Sequence, residues 1–251
     1  MPIHFEEYGQ LDAPLLVFIH GGGVGGWMWE EQIKFFQGYH CIVPTLPEHG
    51  GQSGGTPFSI RESAKLLNDL IIEKANGQKV NVVGFSIGAQ VLVKMLSLQP
   101  TLIDKAMINS ALTRPIAVPK SILGITLKLT YPLIRHKAFA KVQAKTLYLP
   151  PNLFDRYYEE SCAITVESLT RVLDENMSFK TPESFSAVKS KMLVTVGEKE
   201  RGMMKKSAHD LVMSNTNCHR VVWPNIGHGV SLKEPSQFND TLSKWLRDEV
   251  I

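Results

Sequence analysis

The chain has 251 residues, of which 43% are hydrophobic and 20% are charged, a composition typical of a soluble globular protein with one large domain. Its 27 basic and 24 acidic residues give a net charge of +3, which does not indicate nucleic-acid binding. The cysteines Cys41, Cys162 and Cys218 have unrelated spacings. They predict buried thiols in a reducing compartment rather than a disulfide framework or a metal site.

The sequence does not indicate export or insertion into a membrane. Residues 1–7 contain no basic region followed by an apolar one, so no secretory signal is expected and the predicted location is the cytoplasm. The most apolar long stretch, residues 115–134, is interrupted by Lys120, Lys128 and several prolines and glycines. We therefore expect no membrane span.

Short β-rich runs alternate with helical segments along the chain, which predicts an α/β fold with a mainly parallel sheet and helices on both faces. The strand candidates are apolar enough to be buried on both faces, and they are residues 3–8, 15–19, 41–46, 80–83, 105–108, 192–196 and 220–223. Residues 59–62 form a capping box that starts a helix. Further helices are predicted over residues 87–98 and near the end of the chain, where Pro235 can occupy the first turn and the apolar stripe reaches Leu246.

The alternation stops between residues 111 and 182, where the sequence becomes helix-prone, aromatic and interrupted by prolines. We expect these residues to form a helical lid within a single domain of residues 1–251. Packing onto the core is an equally good explanation for any one of its large side chains. The residues expected to line a pocket are Leu127, Tyr131, Leu133, Phe139, Leu153, Phe154 and Tyr157.

Residues 84–88 read Gly-Phe-Ser-Ile-Gly and lie between a predicted strand and a predicted helix. This is the pattern of a nucleophile elbow, a sharp turn that exposes the hydroxyl of Ser86. The glycines at 84 and 88 allow the strand and helix backbones to approach closely around the serine. The pattern alone is weak, because glycine and serine are common, but its position between strand and helix favours a catalytic serine.

Four other motifs follow predicted strands or lie between them. Residues 18–23 (FIHGGG) and residues 44–53 (PTLPEHGGQS) come early in the chain, and residues 197–200 (GEKE) and 227–229 (GHG) come late. With the elbow, these motifs resemble those of the α/β-hydrolase fold superfamily, in its carboxylesterase-like serine hydrolase branch. The resemblance covers nearly all of the chain outside the lid, and it implies a helical lid inserted after the sixth strand.

The resemblance implies a catalytic triad of Ser86, Glu200 and His228, in the chain order that this superfamily uses. His228 would be the base, and its flanking glycines let the loop approach the serine. The acid is less clearly defined, because aspartate is usual and Glu198 and Asp210 are alternatives to Glu200. The superfamily's other place for the acid is after the strand ending near Ile108, where residues 109–112 contain no carboxylate.

The resemblance assigns the oxyanion hole to the backbone N–H groups of Gly22 and Ile87. Glycines 21–23 could alternatively form a flexible turn or a phosphate-binding loop. The sequence lacks the Gly-Lys-Ser/Thr ending of such a loop, so nucleotide binding is disfavoured. His49 and Ser53 are expected to hold their loop by hydrogen bonds, and Thr45 and Glu48 depart from the superfamily's usual pattern.

The predicted function is hydrolysis of a small, apolar ester through an acyl-enzyme intermediate, without metal or cofactor. Hydrolysis of a carbon–carbon bond, lactone, amide or thioester by the same triad is an alternative, since a fold does not fix the reaction. A non-catalytic protein that binds a small molecule is the alternative from another class. The sequence specifies neither the substrate nor the oligomeric state.

Overall fold

The computed structural model describes residues 3–51 and 56–251, which contain a seven-stranded sheet in the order β1-β3-β2-β4-β5-β6-β7. β1 is antiparallel to β3, and all other neighbouring strands are parallel. The predicted sheet is therefore confirmed, with strand ends that differ from prediction by at most two residues. The strands are β1 (His4–Gly9), β2 (Leu15–Ile19), β3 (His40–Thr45), β4 (Val80–Phe85), β5 (Lys105–Asn109), β6 (Lys191–Gly197) and β7 (Cys218–Trp223).

Helices cover the sheet and form most of the connection between β5 and β6. Ser59 accepts a hydrogen bond from the Glu62 N–H, as the capping box predicts for the start of α2. None of the helices in the described part of the chain is long and apolar enough to cross a membrane. The helices are α1 (Glu30–Phe35), α2 (Ile60–Lys74), α3 (Ile87–Leu98), α4 (Lys120–Ile134), α5 (Lys137–Thr146), α6 (Phe154–Ala163), α7 (Val166–Ser178), α8 (Gly202–Ser214), α9 (Val230–Lys233) and α10 (Pro235–Leu246).

The core has two layers, because successive side chains of a strand point to opposite faces of the sheet. Leu15, Val17 and Ile19 of β2 pack with residues of α2, α3 and α8, whereas Leu16 and Phe18 pack with residues of α10. Burial of both faces is confirmed for β2 to β5. It is wrong for β1 and β7, which lie at the two edges of the sheet and expose several side chains.

The cysteine thiols are free, as expected. Cys41 and Cys218 are buried, but Cys162 is only half-buried, so the prediction that all three are buried is wrong for Cys162. It lies on α6, outside the two-layer core, where one helix face remains near solvent.

The strand order reverses direction between β2 and β4. The chain passes from β2 to β3 on one side and then crosses back to β4 on the other side of β2. In parallel sheets, such a reversal opens a crevice at the carboxyl ends of the strands, where ligands bind. The loop at Gly21 and Gly22 follows β2 and Ser86 follows β4, so the sheet topology places both motifs at this crevice.

The helical segment α4 to α7 lies between β5 and β6. The expectation that it follows the sixth strand is therefore wrong by one strand. The reason is that only three strands, β1 to β3, precede β4, the strand that leads to the elbow. With β5, five strands therefore precede the helical segment.

Candidate active site

Ser86 lies on a sharp turn between β4 and α3, with φ +54° and ψ −116°. Positive φ is unusual for a residue with a side chain and indicates local strain. The flanking glycines make the turn possible: a Cβ at Gly84 would lie 2.6 Å from the Gly88 carbonyl oxygen, and one at Gly88 would lie 2.6 Å from the Ile19 oxygen. The geometry is that of the elbow predicted from residues 84–88.

The glycine loop after β2 lies directly beside this turn, because Ile19 pairs with Gly84 in neighbouring strands. A Cβ at Gly22 would lie 3.6 Å from Ile87 Cγ2, and both residues line the same cavity as Ser86. Ile87 begins α3, where N–H groups have no partner inside the helix and the helix dipole is positive. The structure thus places the two predicted oxyanion residues next to the serine.

His228 connects Ser86 to a buried carboxylate. Its Nε2 lies 3.0 Å from Ser86 Oγ, and its Nδ1 lies 2.9 Å from Glu200 Oε2. The imidazole packs against the Phe85 ring, with ring centroids 4.8 Å apart. Gly229, at φ +110°, allows the loop to turn directly after the histidine.

The carboxylate of Glu200 is almost fully buried, with 1% of its side chain exposed. Burial alone would raise its pKa, but hydrogen bonds from His228, the Ser110 hydroxyl and the Gly197 N–H outweigh burial and lower the pKa below its ordinary value. The group is therefore held as a carboxylate, which accepts a hydrogen bond from the imidazole Nδ1–H and stabilises an imidazolium.

The two alternative acids lie elsewhere. Glu198 accepts a hydrogen bond from the Asn225 N–H at 2.8 Å and faces solvent. Asp210 lies on α8 and forms an ion pair with Arg114. Of the three carboxylates considered, only Glu200 contacts the histidine.

Ser110 has a role at this site that the sequence did not reveal. Its hydroxyl lies 2.5 Å from Glu200 Oε1, and its backbone has φ +57°. The residue follows β5, at the superfamily's other place for the acid, and this position is the one indication that the sequence gives of its role. Tyr148 is a second such residue, because its hydroxyl accepts a hydrogen bond from the Gly227 N–H at 3.1 Å, next to His228.

His20 is a structural part of the glycine loop. It is fully buried, with Nδ1 2.8 Å from the Gly21 carbonyl oxygen, and Nε2 accepts a hydrogen bond from the Leu46 N–H at 3.0 Å. Burial, together with the nearby His49, lowers the pKa of His20 to about 3, so the ring is neutral and carries its proton on Nδ1. His20 thereby ties the loop after β2 to the loop after β3.

His49 is also buried, and its Nδ1 lies 2.9 Å from the Pro47 carbonyl oxygen. This agrees with the expected loop-holding role. Ser53 lies outside the described residues.

Ser86 opens into a cavity of about 450 Å³ that is bounded on its other side by the helical segment α4 to α7. Of the residues expected to line it, Leu127, Phe139 and Tyr157 do so. The expectation is wrong for Tyr131, Leu133, Leu153 and Phe154, which do not line the cavity. Leu133, for example, lies on the outer side of α4 and is 44% exposed. The apolar wall is formed by Val24, Leu127, Ile134, Phe139, Leu147, Ile164, Leu169, Val172 and Leu173.

Two carboxylates contribute to the cavity wall, and neither was predicted to do so. Glu160 accepts a hydrogen bond from the Trp27 indole N–H at 2.8 Å. Glu48 accepts two hydrogen bonds from Arg171 of α7. Within residues 3–51 and 56–251, no group of three or more His, Cys, Asp or Glu residues is arranged to hold a metal ion.

A mostly parallel sheet carries a strained serine elbow, and a carboxylate and a histidine follow it along the chain. The histidine contacts both the serine and the carboxylate, an arrangement that defines a hydrolase-type α/β fold. The profile of the alpha/beta hydrolase family matches residues 16–241. The chain belongs to this family, and the resemblance inferred from the motifs is confirmed.

Individual relatives match this chain either over a short segment or at low identity. An "AB hydrolase superfamily protein" of Gibberella zeae is 32% identical over 88 residues, which cover 34% of this chain and 31% of that protein. The chain thus aligns with less than a third of that relative's length. "Lipase 1" of Psychrobacter immobilis is 22% identical over 235 residues, 89% of this chain and 74% of that protein.

The fold is also similar to solved structures. An esterase from Exiguobacterium antarcticum superposes with a TM-score of 0.80 and 18% identity, covering 98% of this chain and 95% of the other. At this identity the similarity concerns the fold.

Proposed function

We propose that this protein is a serine hydrolase of the carboxylesterase type that cleaves small, apolar esters through Ser86, His228 and Glu200. The observation that carries the proposal is the continuous contact from Ser86 Oγ through both ring nitrogens of His228 to the buried Glu200, at 3.0 Å and 2.9 Å. Such an arrangement activates a hydroxyl that is otherwise a poor nucleophile.

In the first half of the reaction, Ser86 Oγ attacks the ester carbonyl carbon while its proton passes to His228 Nε2. The negative charge that develops on the carbonyl oxygen is stabilised by the N–H groups of Gly22 and Ile87. The tetrahedral intermediate then collapses: the bond to the alcohol oxygen breaks, and Nε2 returns its proton to that oxygen. The alcohol leaves, and the acyl group remains on Ser86.

In the second half, a water molecule gives a proton to Nε2 as its oxygen attacks the acyl-enzyme. The second tetrahedral intermediate then collapses: its bond to Ser86 Oγ breaks, and Oγ takes the proton back from Nε2. The carboxylic acid leaves, and Ser86 is restored. Glu200 keeps the imidazole in the tautomer with Nδ1 protonated throughout and stabilises the imidazolium.

The cavity supports the choice of an apolar substrate, because its wall is formed largely by aliphatic and aromatic side chains. In this proposal, residues 111–182 act as a lid that shields the acyl-enzyme from bulk water and sets the size of the group that fits.

Labelling with a fluorophosphonate tests the nucleophile. We expect wild-type protein to be labelled and Ser86→Ala not to be. If folded wild-type protein remains unlabelled under conditions where a known serine hydrolase reacts, the proposal is wrong, and a non-catalytic binding protein becomes the better explanation.

Ester turnover with matched variants tests the acid. Glu200→Gln should lower kcat by about 10²- to 10⁴-fold, because glutamine cannot stabilise the imidazolium. Glu198→Gln, a change of the same size two residues away, should stay within about twofold of wild type, since surface substitutions of this kind have small effects. The reverse result would assign the acid to Glu198. A substrate series of esters with rising acyl length, with lactones, amides, thioesters and carbon–carbon diketones alongside, identifies the bond cleaved.

A further inference from the structure

Helix α4 exposes a stripe of large aliphatic side chains on the face away from the cavity. The spacing of three, four and four residues places the stripe on one side of the helix. The exposed fractions are 55% for Ile122, 62% for Ile125, 77% for Leu129 and 44% for Leu133. On the opposite side of the same helix, Leu127 and Ile134 line the cavity. The helix is therefore apolar on two faces, and the described chain covers only the inner one.

All charged residues in the sequence around this stripe are basic. Residues 105–154 contain eight lysines and arginines and no aspartate or glutamate, whereas the whole chain is nearly balanced at 27 basic and 24 acidic residues. Four of the cations, Arg135, Lys137, Lys141 and Lys145, are exposed at the end of α4 and along α5. Another exposed aliphatic residue, Val142, lies among them.

These four cations do not form ion pairs with carboxylates of the described chain. Instead, Arg135 lies over the Tyr131 ring at 5.8 Å, and Lys137 lies over the Tyr158 ring at 5.3 Å. The ion pairs formed within residues 3–51 and 56–251 involve other side chains. The charges of Arg135, Lys137, Lys141 and Lys145 are thus available to an external anion.

The charge pattern decides between possible occupants of the stripe. A second copy of the chain, packed stripe to stripe, would bring two groups of cations together and be repelled. An anionic lipid surface satisfies both features: the aliphatic side chains enter the boundary between headgroups and acyl chains, and the lysines and arginines contact the headgroups.

We propose that the outer stripe of α4, defined as Ile122, Ile125, Leu129 and Leu133, together with the cations of α5, docks this protein on an anionic phospholipid surface. The proposal goes beyond hydrolysis and does not depend on it, because it concerns a face that points away from Ser86.

Flotation with lipid vesicles tests the proposal. We expect wild-type protein to float with phosphatidylcholine vesicles that contain about a third phosphatidylglycerol, and about tenfold less with phosphatidylcholine alone, since basic residues near an anionic surface strengthen binding. The double variant Ile125→Ser/Leu129→Ser and the triple variant Lys137→Gln/Lys141→Gln/Lys145→Gln should each lose most of the bound fraction. Ser86→Ala should float like wild type, which separates docking from catalysis.

Matched controls come from the loops at the amino-terminal ends of the parallel strands, on the other side of the molecule from the crevice. Leu11 is 61% exposed and Lys79 is exposed there. Leu11→Ser and Lys79→Gln should leave vesicle binding unchanged, and thermal unfolding checks that every variant is folded.

Three results would overturn the proposal. They are failure of wild-type protein to float with anionic vesicles, flotation of the stripe variant at the wild-type level, and equal losses in the control variants. Light scattering adds a fourth: a wild-type dimer that the stripe variant converts to a monomer would assign the stripe to contact between copies.

Discussion

Ser110 is buried beside Glu200 and donates one of the hydrogen bonds that keep this carboxylate charged. Its hydroxyl also lies 2.8 Å from Asn109 Oδ1, but it carries a single proton and makes the shorter contact with the carboxylate. A hydrogen bond to a charged group is stronger than one to a neutral group. We therefore treat Ser110 as a positioning residue for Glu200.

Removing the Ser110 hydroxyl should lower kcat by about 5- to 30-fold with little change in KM, which corresponds to the loss of about 1–2 kcal/mol from one hydrogen bond to a charged group. The pKa of Glu200 should rise, because one of the interactions that lower it is gone. The loss should therefore be larger at acid pH, and the acid limb of the pH–rate profile should shift upward. The measurement is kcat and KM of an activated ester across pH.

Two variants separate the hydroxyl from the backbone at this position. Ser110→Gly accommodates the positive φ without strain, and Ser110→Ala does not. Similar kcat losses in both would trace the effect to the hydroxyl. Wild-type kcat and an unshifted pH profile in both would show that Ser110 does not position the acid.

At the scale of elements, Glu48 fastens the loop after β3 to helix α7. The carboxylate accepts hydrogen bonds from Arg171 and Ser168 of α7 and from the Phe58 N–H of its own loop. Its backbone has φ +61°, a conformation that glycine adopts easily and glutamate adopts at a cost. Glycine at this position would avoid the backbone cost, but it would have no carboxylate to bind Arg171 and Ser168 of α7.

The pKa of Glu48 predicts a pH-dependent contribution to stability. Burial alone would raise this pKa, but the hydrogen bonds from Arg171, Phe58 and Ser168 lower it to about 2, from 4.5 in the absence of these interactions. A carboxyl group with a lowered pKa in the folded state stabilises that state above its unfolded pKa, and the contribution is lost as pH falls through the folded pKa.

Glu48→Gln should lower the free energy of unfolding by about 1–3 kcal/mol near neutral pH. The difference from wild type should shrink as pH falls from 4.5 toward 2, because the Glu48 carboxyl of the unfolded chain takes up a proton in this range, and that of the folded protein does so only near its pKa of about 2. Urea unfolding at a series of pH values measures it. Glu62→Gln, which alters an exposed glutamate paired with Lys65, is the control and should give a small difference. A pH-independent loss for Glu48→Gln would rule out the charge as its cause.

At the scale of the whole molecule, the cavity exists because the segment α4 to α7 faces the carboxyl edge of the sheet. Its inner wall comes from helices that follow β5, while Ser86 and Gly22 come from the sheet side. In the proposed reaction, the size of the substrate is set by the helices and the chemistry by the sheet edge.

Leu127→Trp should shift the preference toward shorter acyl groups, because the larger side chain fills part of the cavity of about 450 Å³. Leu129→Trp is the matched control, since Leu129 lies on the same helix but is 77% exposed on its outer face. The measurement is kcat/KM for soluble esters of increasing acyl length. An equal shift in both variants, or none in Leu127→Trp, would show that α4 does not limit substrate size.

The predictability of each residue depended on the range of the interaction that places it. Ser86 and His228 each lie in a short motif after a strand, and strand order brings such motifs together. Glu200 and Glu198 occupy the same loop, so the sequence left both open. Folding separates them, because Glu198 reaches the Asn225 N–H and faces solvent while Glu200 is buried.

Contacts between distant segments were not predictable. Glu48 and Arg171 are 123 residues apart and share no local pattern, and Ser110 and Glu200 are 90 apart. Leu133 was expected in the cavity and lies on the outer stripe instead. Helical spacing identifies apolar stripes on α4, but it does not say which of two stripes faces inward.

The sequence by itself determined the parallel sheet, the elbow, its glycines and the positions of Ser86 and His228 in the chain. These depend on local backbone geometry and on the spacing of apolar residues, which neighbouring residues encode. Only the tertiary structure decided which glutamate meets His228, which residues hold it, and which face of α4 closes the cavity. Those outcomes arise from side-chain packing between elements far apart in the chain, where no local rule applies.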